Sequence, residues 1–425
     1  MTRLITVNPT TVQSTINQVD PLLVLRGLAC LVVVLFHCTV PRSLIVYKNY
    51  NFTWLFLGDG IVAVWVFFAL SGYLMGKAFY TQRYIPTIKG LTQFFINRAL
   101  RILPLYYFAV LVQAIFVYPE VLKPGNWEEL FRICTFTYTL PIPLFDIGTY
   151  HFNGAFWTLS TEVQFYLIVP FIYTILQPIL INRFRVLFAF FAIISFTTIV
   201  RIFAVLTWPA HTALLMNLDV FLCGFLVNAL FQIKSQRQPQ KNSNLSTSKT
   251  LKINGKWIAV LLMIILYLVT AYHGYHEEVW NYVPRPNTLM DKSLFRTVAA
   301  YYLWPVLTGL ITAIFIYIFE RDGGYNNTAQ NQKLSVQACI EKPGRILEII
   351  GILSYGMYLW HMAIIQQISP IVQGEFGLET FSNKLLTTII LSIVFSAVTY
   401  YLVEIPAARF KKNTLNFNLL NNIIK

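Results

Sequence analysis

The chain has 425 residues, 56% of them apolar and 12% charged, and its mean hydropathy is +0.59. That composition excludes an ordinary soluble domain and describes an integral membrane protein. A formal charge of +14 would suggest nucleic acid in a soluble protein, but here Lys and Arg sit between apolar runs and report topology, so no nucleic-acid partner is expected.

Apolar runs of about 18 residues or more, enough to cross a hydrocarbon core, recur ten times: 22–40, 60–80, 100–117, 160–179, 186–208, 213–231, 257–272, 298–319, 349–368 and 385–403. The first twenty residues lack a basic n-region, a short apolar core and a small-residue cleavage site, so no signal peptide is expected and the first span should remain in the mature chain. With the N-terminus in the cytoplasm, 22 of the 32 Lys and Arg fall on the inner side and eight outside, while Arg26 and Arg201 lie within spans. This positive-inside pattern predicts an all-α membrane protein with an even number of spans and both termini cytoplasmic. A single membrane domain is expected over 1–425, with a cytoplasmic segment at 1–21 and a cytoplasmic tail at 404–425.

In the first span, "VLRGLACLVVVLFHC" carries Arg26 and His37. Eleven residues at about 100° each return to within about 20° of the starting direction, so the two share a face about 16 Å apart along the axis. An ionisable side chain within a span needs a partner and is a functional-site hypothesis; the alternative has Arg26 snorkelling to the inner interface and His37 bonded to a carbonyl. Asp59 opens the second span at the depth inferred for His37, where it pairs with His37 or, the preferred reading, faces water. At the cytoplasmic start of the third span, "NRALRILPLYY" places Arg98 and Arg101 at i,i+3, either a phosphate clamp or simple inner anchoring.

On the outer side, "FWTLSTEVQFYLIVP" puts Glu162 in the first turn of the fourth span, where the helix dipole favours a carboxylate, with Tyr166 at i+4 on the same face and at the level of His37. Arg201 and Asp219, in the fifth and sixth spans, read as a buried structural ion pair. In the ninth span, "LSYGMYLWHMAII" aligns Ser354, Tyr358 and His361 as a polar stripe that needs a protein partner or a wet cavity.

Two inner connections, 234–252 and 321–337, are polar and low in complexity and read as tethers. Two outer ones, 118–159 and 273–297, are rich in aromatic and acidic residues, with Pro and Gly expected to break any regular helix; they suit either a large polar ligand or the lipid interface. Cys30, Cys38, Cys134, Cys223 and Cys339 form no C-x-x-C pair and lie mostly in apolar segments, so neither a disulfide framework nor a metal site is expected.

Taken together, "LRGLACLVVVLFH", "FFALSGYLM" with Ser71, "NRALRILPLYY", "FWTLSTEVQFY" and "LSYGMYLWH", in that order along nearly the whole chain, resemble the membrane-bound acyltransferases called acyltransferase family 3. The resemblance implies a multi-pass protein of a bacterial inner (plasma) membrane that moves an acyl group, acetyl by analogy, from cytoplasmic acyl-CoA to a hydroxyl acceptor on the outer side, a surface or exported carbohydrate first. Acyl-CoA is then a co-substrate, and no tightly bound cofactor is implied. Two departures stand out. The family often has an acid shortly before "FF" in the second span, where this chain has Trp65, and some members carry an extracytoplasmic hydrolase-like domain after the last span.

A pantetheine arm is about as long as the Arg26 to His37 separation, about 16 Å. The expectation is therefore that Arg98, Arg101 and Arg26 hold the CoA phosphates while His37 acts as general base on the acceptor. Glu162 is expected to orient the imidazole or the acceptor. Asp59, Ser71, Tyr166, Tyr358 and His361 are placed along the tunnel or at the acceptor, with Tyr358 and Ser71 as candidate oxyanion donors. An acyl-histidine intermediate and direct transfer both fit these residues. The competing class is a transporter using Arg26, His37, Glu162 and His361 as a permeation or proton path; the lack of a visible internal repeat argues against inverted halves.

Overall fold

Asp20 starts the first helix. Its Oδ1 accepts from the backbone N–H of Leu22 and Leu23 at 2.9 and 3.2 Å, and Pro21 at the first helical position loses no bond there. This helix, α1 (Pro21–His37), stops at His37, because Thr39 takes a left-handed φ of 55° and Pro41 follows. His37 thus occupies the last helical turn, where the sequence placed it inside a run reaching residue 40.

The structure, a computed structural model, describes residues 19–139, 152–207, 213–236, 255–277, 302–321, 343–372, 374 and 377–409. After α1 come α2 (Gly60–Tyr80), α3 (Ile88–Phe116), a short α4 (Trp127–Cys134), α5 (Phe156–Leu176), α6 (Arg183–Thr207), α7 (Leu214–Gln236), α8 (Gly255–Glu277), α9 (Trp304–Glu320), α10 (Gly344–Ile368) and α11 (Gly377–Thr399). All but α4 overlap the predicted spans, but α3 starts twelve residues before the span predicted at 100, so Arg98 and Arg101 lie about three turns into the helix and not, as expected, at its start. Eight are long and apolar enough to cross a membrane, and α1 and α9, at 17 residues each, are shorter. The chain is an all-α, multi-pass integral membrane protein.

Two local features lie outside the sequence reading. Between α1 and α2, Val46–Tyr47 (β1) pairs antiparallel with Tyr50–Asn51 (β2), and Lys48 and Asn49 take positive φ of 47° and 66°, the backbone of a tight primed hairpin turn. Helix α4 corrects the expectation that the 118–159 connection contains no regular helix. Pro124 and Gly125 lie just ahead of it rather than inside it, and Glu128 and Glu129 in its first turn and Arg132 in its last complement the dipole. Tyr106 and Tyr107 of α3 donate to its carbonyls at Ile133 and Cys134, both at 2.8 Å. Residues 140–151, 278–297, 237–252 and 322–337 of the four long connections lie outside the described residues.

Burial separates central from peripheral helices: 78% of the most apolar stretch of α10 and 72% of those of α2 and α7 are buried, against 17% for α6. Glycine lets the central helices meet. A Cβ on Gly72 would stand 1.8 Å from the Phe221 carbonyl oxygen, and one on Gly224 would stand 1.8 Å from that of Ala69, so α2 and α7 touch backbone to backbone. Gly72→Ala should therefore cost more than the usual overpacking penalty of about 1–3 kcal/mol, because a backbone carbonyl cannot rotate away. The measurement is thermal unfolding in detergent beside Gly125→Ala, whose added Cβ meets nothing within 4 Å and which should leave the transition in place.

The same device joins α1 to α10. Cβ atoms on Gly27 and Gly351 would meet the carbonyl oxygens of Leu347 and Leu23 at 2.2 and 2.1 Å. The two helices run parallel with their polar stripes facing, since Arg26 meets Ser354 and, further along both, His37 meets His361.

Candidate active site

Each polar residue of α1 meets one of α10. Arg26 Nε donates to Ser354 Oγ at 2.8 Å, and Ser354 passes its own proton to the Gly351 carbonyl at 2.8 Å. The Arg26 guanidinium carbon lies 5.8 Å from the Phe67 ring centre, over its face. Three turns further on, His37 Nδ1 is 3.2 Å from His361 Nε2 and 2.9 Å from the Val33 carbonyl oxygen. The stripe on α10 and the pair on α1 are one another's partners.

The tautomers follow from these contacts. His361 is fully buried, and its Nδ1 lies 2.8 Å from the Tyr358 carbonyl oxygen, which can only accept, so Nδ1 carries the proton. Its Nε2 then presents a lone pair to His37 Nδ1–H, which also points at the Val33 carbonyl. What remains is His37 Nε2, an unprotonated nitrogen with no hydrogen bond among the described residues. An imidazole held through one nitrogen with the other open is the arrangement a general base requires.

Glu162 sits elsewhere. Helix α5 starts at Phe156, so Glu162 falls in its second turn, and the expected first-turn carboxylate at the helix dipole is corrected. It accepts a bond from Ser71 Oγ at 2.8 Å and a short one from Tyr166 Oη, which is also 3.2 Å from Ser71. Its charged neighbour is Arg26, and that of Tyr166 is Arg98. Glu162 and Tyr166 therefore lie at the arginine level and not, as the sequence reading had it, at the level of His37, and His361 is the residue that orients the imidazole. The reason is geometric: four more residues of helix ahead of Ser160 move Glu162 deeper by about 6 Å.

The three predicted arginines do converge. Arg26 lies within electrostatic reach of Arg101 and Glu162, and Arg98 within reach of Tyr166, Arg101, Tyr84 and Arg83. The Nε of Arg98 is buried without a hydrogen-bond partner among the described residues, while Arg101 is exposed. Like-charged groups brought together, with one buried donor unused, are an arrangement that can accommodate an anion.

Other expectations resolve differently. Asp59 is 4% exposed and caps α2, accepting from Ile61 and Val62 N–H at 3.0 and 3.1 Å, so it does not face water. The Tyr358 hydroxyl is engaged by the Ala155 carbonyl at 3.2 Å and Thr158 Oγ1 at 2.9 Å, which ties α5 to α10 and leaves it no proton for an oxyanion. The proton of Ser71 is likewise engaged, by Glu162.

Two groups escaped the sequence reading. Gln113, fully buried on α3, donates to the Leu359 carbonyl at 2.8 Å and accepts from Asn153 at 2.9 Å, bracing α10 beside Tyr358 and His361. Glu404, just past α11, lies within electrostatic reach of Arg101 and Arg26. Neither carries a local signal: Gln113 is one polar residue in an apolar helix, and Glu404 stands where the sequence reading begins the tail.

Compared with known proteins, residues 20–404 match the sequence model of an acyltransferase domain, acyltransferase 3. The chain belongs to that family. The peptidoglycan O-acetyltransferase OatA of Listeria monocytogenes is 31% identical to this acyltransferase-3 chain over 163 residues, 34% of the chain and 22% of OatA. Putative O-acetyltransferases of Staphylococcus aureus strains COL and MW2 are each 22% identical over 403 residues, covering 92% of the chain and 58% of each relative. The chain thus spans less than two thirds of the length of these relatives. No solved structure matches it. Where the family often has an acid in the second span, Trp65 of this member donates its indole N–H to Asn217 Oδ1 at 2.8 Å, joining α2 to α7.

Proposed function

We propose that this acyltransferase-3 protein is a membrane O-acyltransferase that moves an acetyl group from acetyl-CoA, bound at the arginine level, to a hydroxyl of a carbohydrate acceptor at the His37 level. The observation that carries the proposal is the alignment of α1 with α10: an arginine cluster at one end and, about 16 Å along the same helix, an imidazole with one nitrogen held and the other open. The separation suits a donor whose phosphates are strongly hydrated and whose thioester arm is thin. The basic side of the bundle is assigned to the cytoplasm by the positive-inside pattern, so donor and acceptor approach from opposite sides. The names of the relatives support O-acetyl transfer.

In this reading Arg98 and Arg101 bind the donor phosphates, and Arg26, fixed by Ser354, lies where the arm enters. His37 Nε2 takes the proton of the acceptor hydroxyl as its oxygen attacks the thioester carbonyl. The new C–O bond forms, the C–S bond breaks, and the proton passes from His37 to the departing CoA sulfur, so that ester and CoA thiol leave and the imidazole is restored. His361 holds His37 by accepting its Nδ1–H, a bond that strengthens while His37 is cationic. Direct transfer needs no acyl-enzyme.

Calorimetry of acetyl-CoA binding to the purified protein in detergent tests the donor half without the acceptor. Arg98→Ala should weaken binding at least about tenfold, the effect of a lost charge-assisted phosphate contact of about 1.5–3 kcal/mol, while His37→Ala should bind as the parent does. Equal binding by the parent and Arg98→Ala would remove the arginine cluster from the donor site.

A further inference from the structure

Glu404 introduces a negative charge into the site that an anionic donor would have to enter. Its position has a local cause. Pro406 has no N–H for the Leu402 carbonyl, and its ring crowds that carbonyl. The helix answers one residue earlier: Ile405 N–H bonds to the Tyr400 carbonyl, five residues back, and Tyr400–Glu404 forms a single π turn. That turn packs against α3 and brings the Glu404 carboxyl within electrostatic reach of Arg101 on α3 and Arg26 on α1, beside Tyr355 of α10 and Tyr400 of its own helix. Its Oε1 is buried and has no hydrogen-bond partner among the described residues, although Arg101 nearby carries five donors. As a carboxylate, Glu404 acts on the arginines through space and not through a bidentate pair, since no hydrogen bond joins its Oε1 to them among the described residues.

We propose that Glu404 is a built-in counter-anion of the donor site, balancing Arg26 and Arg101 when no donor is bound and opposing the phosphates when one is, so that it limits donor affinity and speeds release of the CoA product. The inference rests on the reading of the arginine cluster as the acyl-CoA site. Three arginines with Glu162 alone would bind a polyanionic product tightly and free it slowly; a second carboxylate weakens donor and product alike. At an effective dielectric constant near 20, two unit charges about 10 Å apart interact by about 1.7 kcal/mol, so a unit charge that near a phosphate changes its affinity by about tenfold or more.

The experiment is calorimetric titration of the full-length protein in detergent with CoA and with inorganic pyrophosphate, for the parent, Glu404→Gln and Glu404→Asp. Glu404→Gln keeps the shape and removes the charge; it should bind both probes about tenfold more tightly, with a steeper loss of affinity as salt rises. Glu404→Asp keeps the charge and should bind as the parent does, which guards against a general effect of altering the π turn. Affinity in Glu404→Gln that is unchanged or weaker would overturn the counter-anion role and leave the donor site standing. A parent that binds neither CoA nor pyrophosphate while remaining monodisperse would remove the donor site itself, and this inference with it.

Discussion

His37→Ala is expected to lower acetyl transfer to a hydroxyl acceptor by about 10²–10⁴-fold, the usual worth of a positioned general base, while donor binding persists. The loss should fall on the rate constant and not on donor affinity, because Nε2 of His37 is the open nitrogen and the arginine cluster stands about 16 Å away along the helix. His361 acts through His37, and a different pattern is expected for it. His361→Ala removes the acceptor for His37 Nδ1–H at 3.2 Å, freeing the imidazole to rotate or change tautomer, so the rate should fall by about tenfold or more and the pH profile should move with it. His361→Gln, which retains an acceptor oxygen, should recover part of the rate; a merely space-filling histidine would give no such rescue. Intact-mass measurement after incubation with acetyl-CoA alone should show an unmodified chain. An acetyl group retained on the parent and lost in His37→Ala would replace the general base with a histidine nucleophile.

Asp219→Ala should be the most destabilising single change outside the glycine contacts, by about 3–5 kcal/mol. Arg201 and Asp219 are 3% and 1% exposed, and their closest N–O distance is 2.6 Å. Arg201 also donates twice to the Met216 carbonyl, at 2.9 and 2.5 Å. Truncating the aspartate leaves a guanidinium charge between α6 and α7, where neither water nor lipid can satisfy it. Replacing both residues together, as Arg201→Leu with Asp219→Leu, should recover most of that loss, because the pair is itself incompletely satisfied: Arg201 Nη1 and Asp219 Oδ2 have no hydrogen bond among the described residues. Thermal unfolding of the parent, the single variant and the double variant in one detergent measures both. A double variant no more stable than Asp219→Ala would mean that the pair does more than neutralise itself.

Much of the architecture was legible because a bilayer makes sequence explicit. A span must satisfy its own backbone and present apolar side chains, so each of the ten apolar runs falls on a helix among the described residues. The i,i+11 spacing of Arg26 and His37, the stripe from Ser354 to His361 and the Arg98–Arg101 pair were each readable from helical periodicity. Helix ends were less so: α5 begins four residues before the predicted span, and that small shift moved Glu162 and Tyr166 from the imidazole to the arginines.

By itself, then, the sequence determined which residues lie on which face of which helix, since that depends only on helix geometry and the cost of exposing polar groups to lipid. Only the tertiary structure decided which faces meet. Close approach at Gly27 and Gly351 is what turns the α1 pair towards α10, making His361 the partner of His37 and leaving one imidazole nitrogen open. A π turn forced by Pro406 carries Glu404 to the arginines. Such pairings depend on backbone contacts between helices distant in sequence, and no local periodicity encodes them.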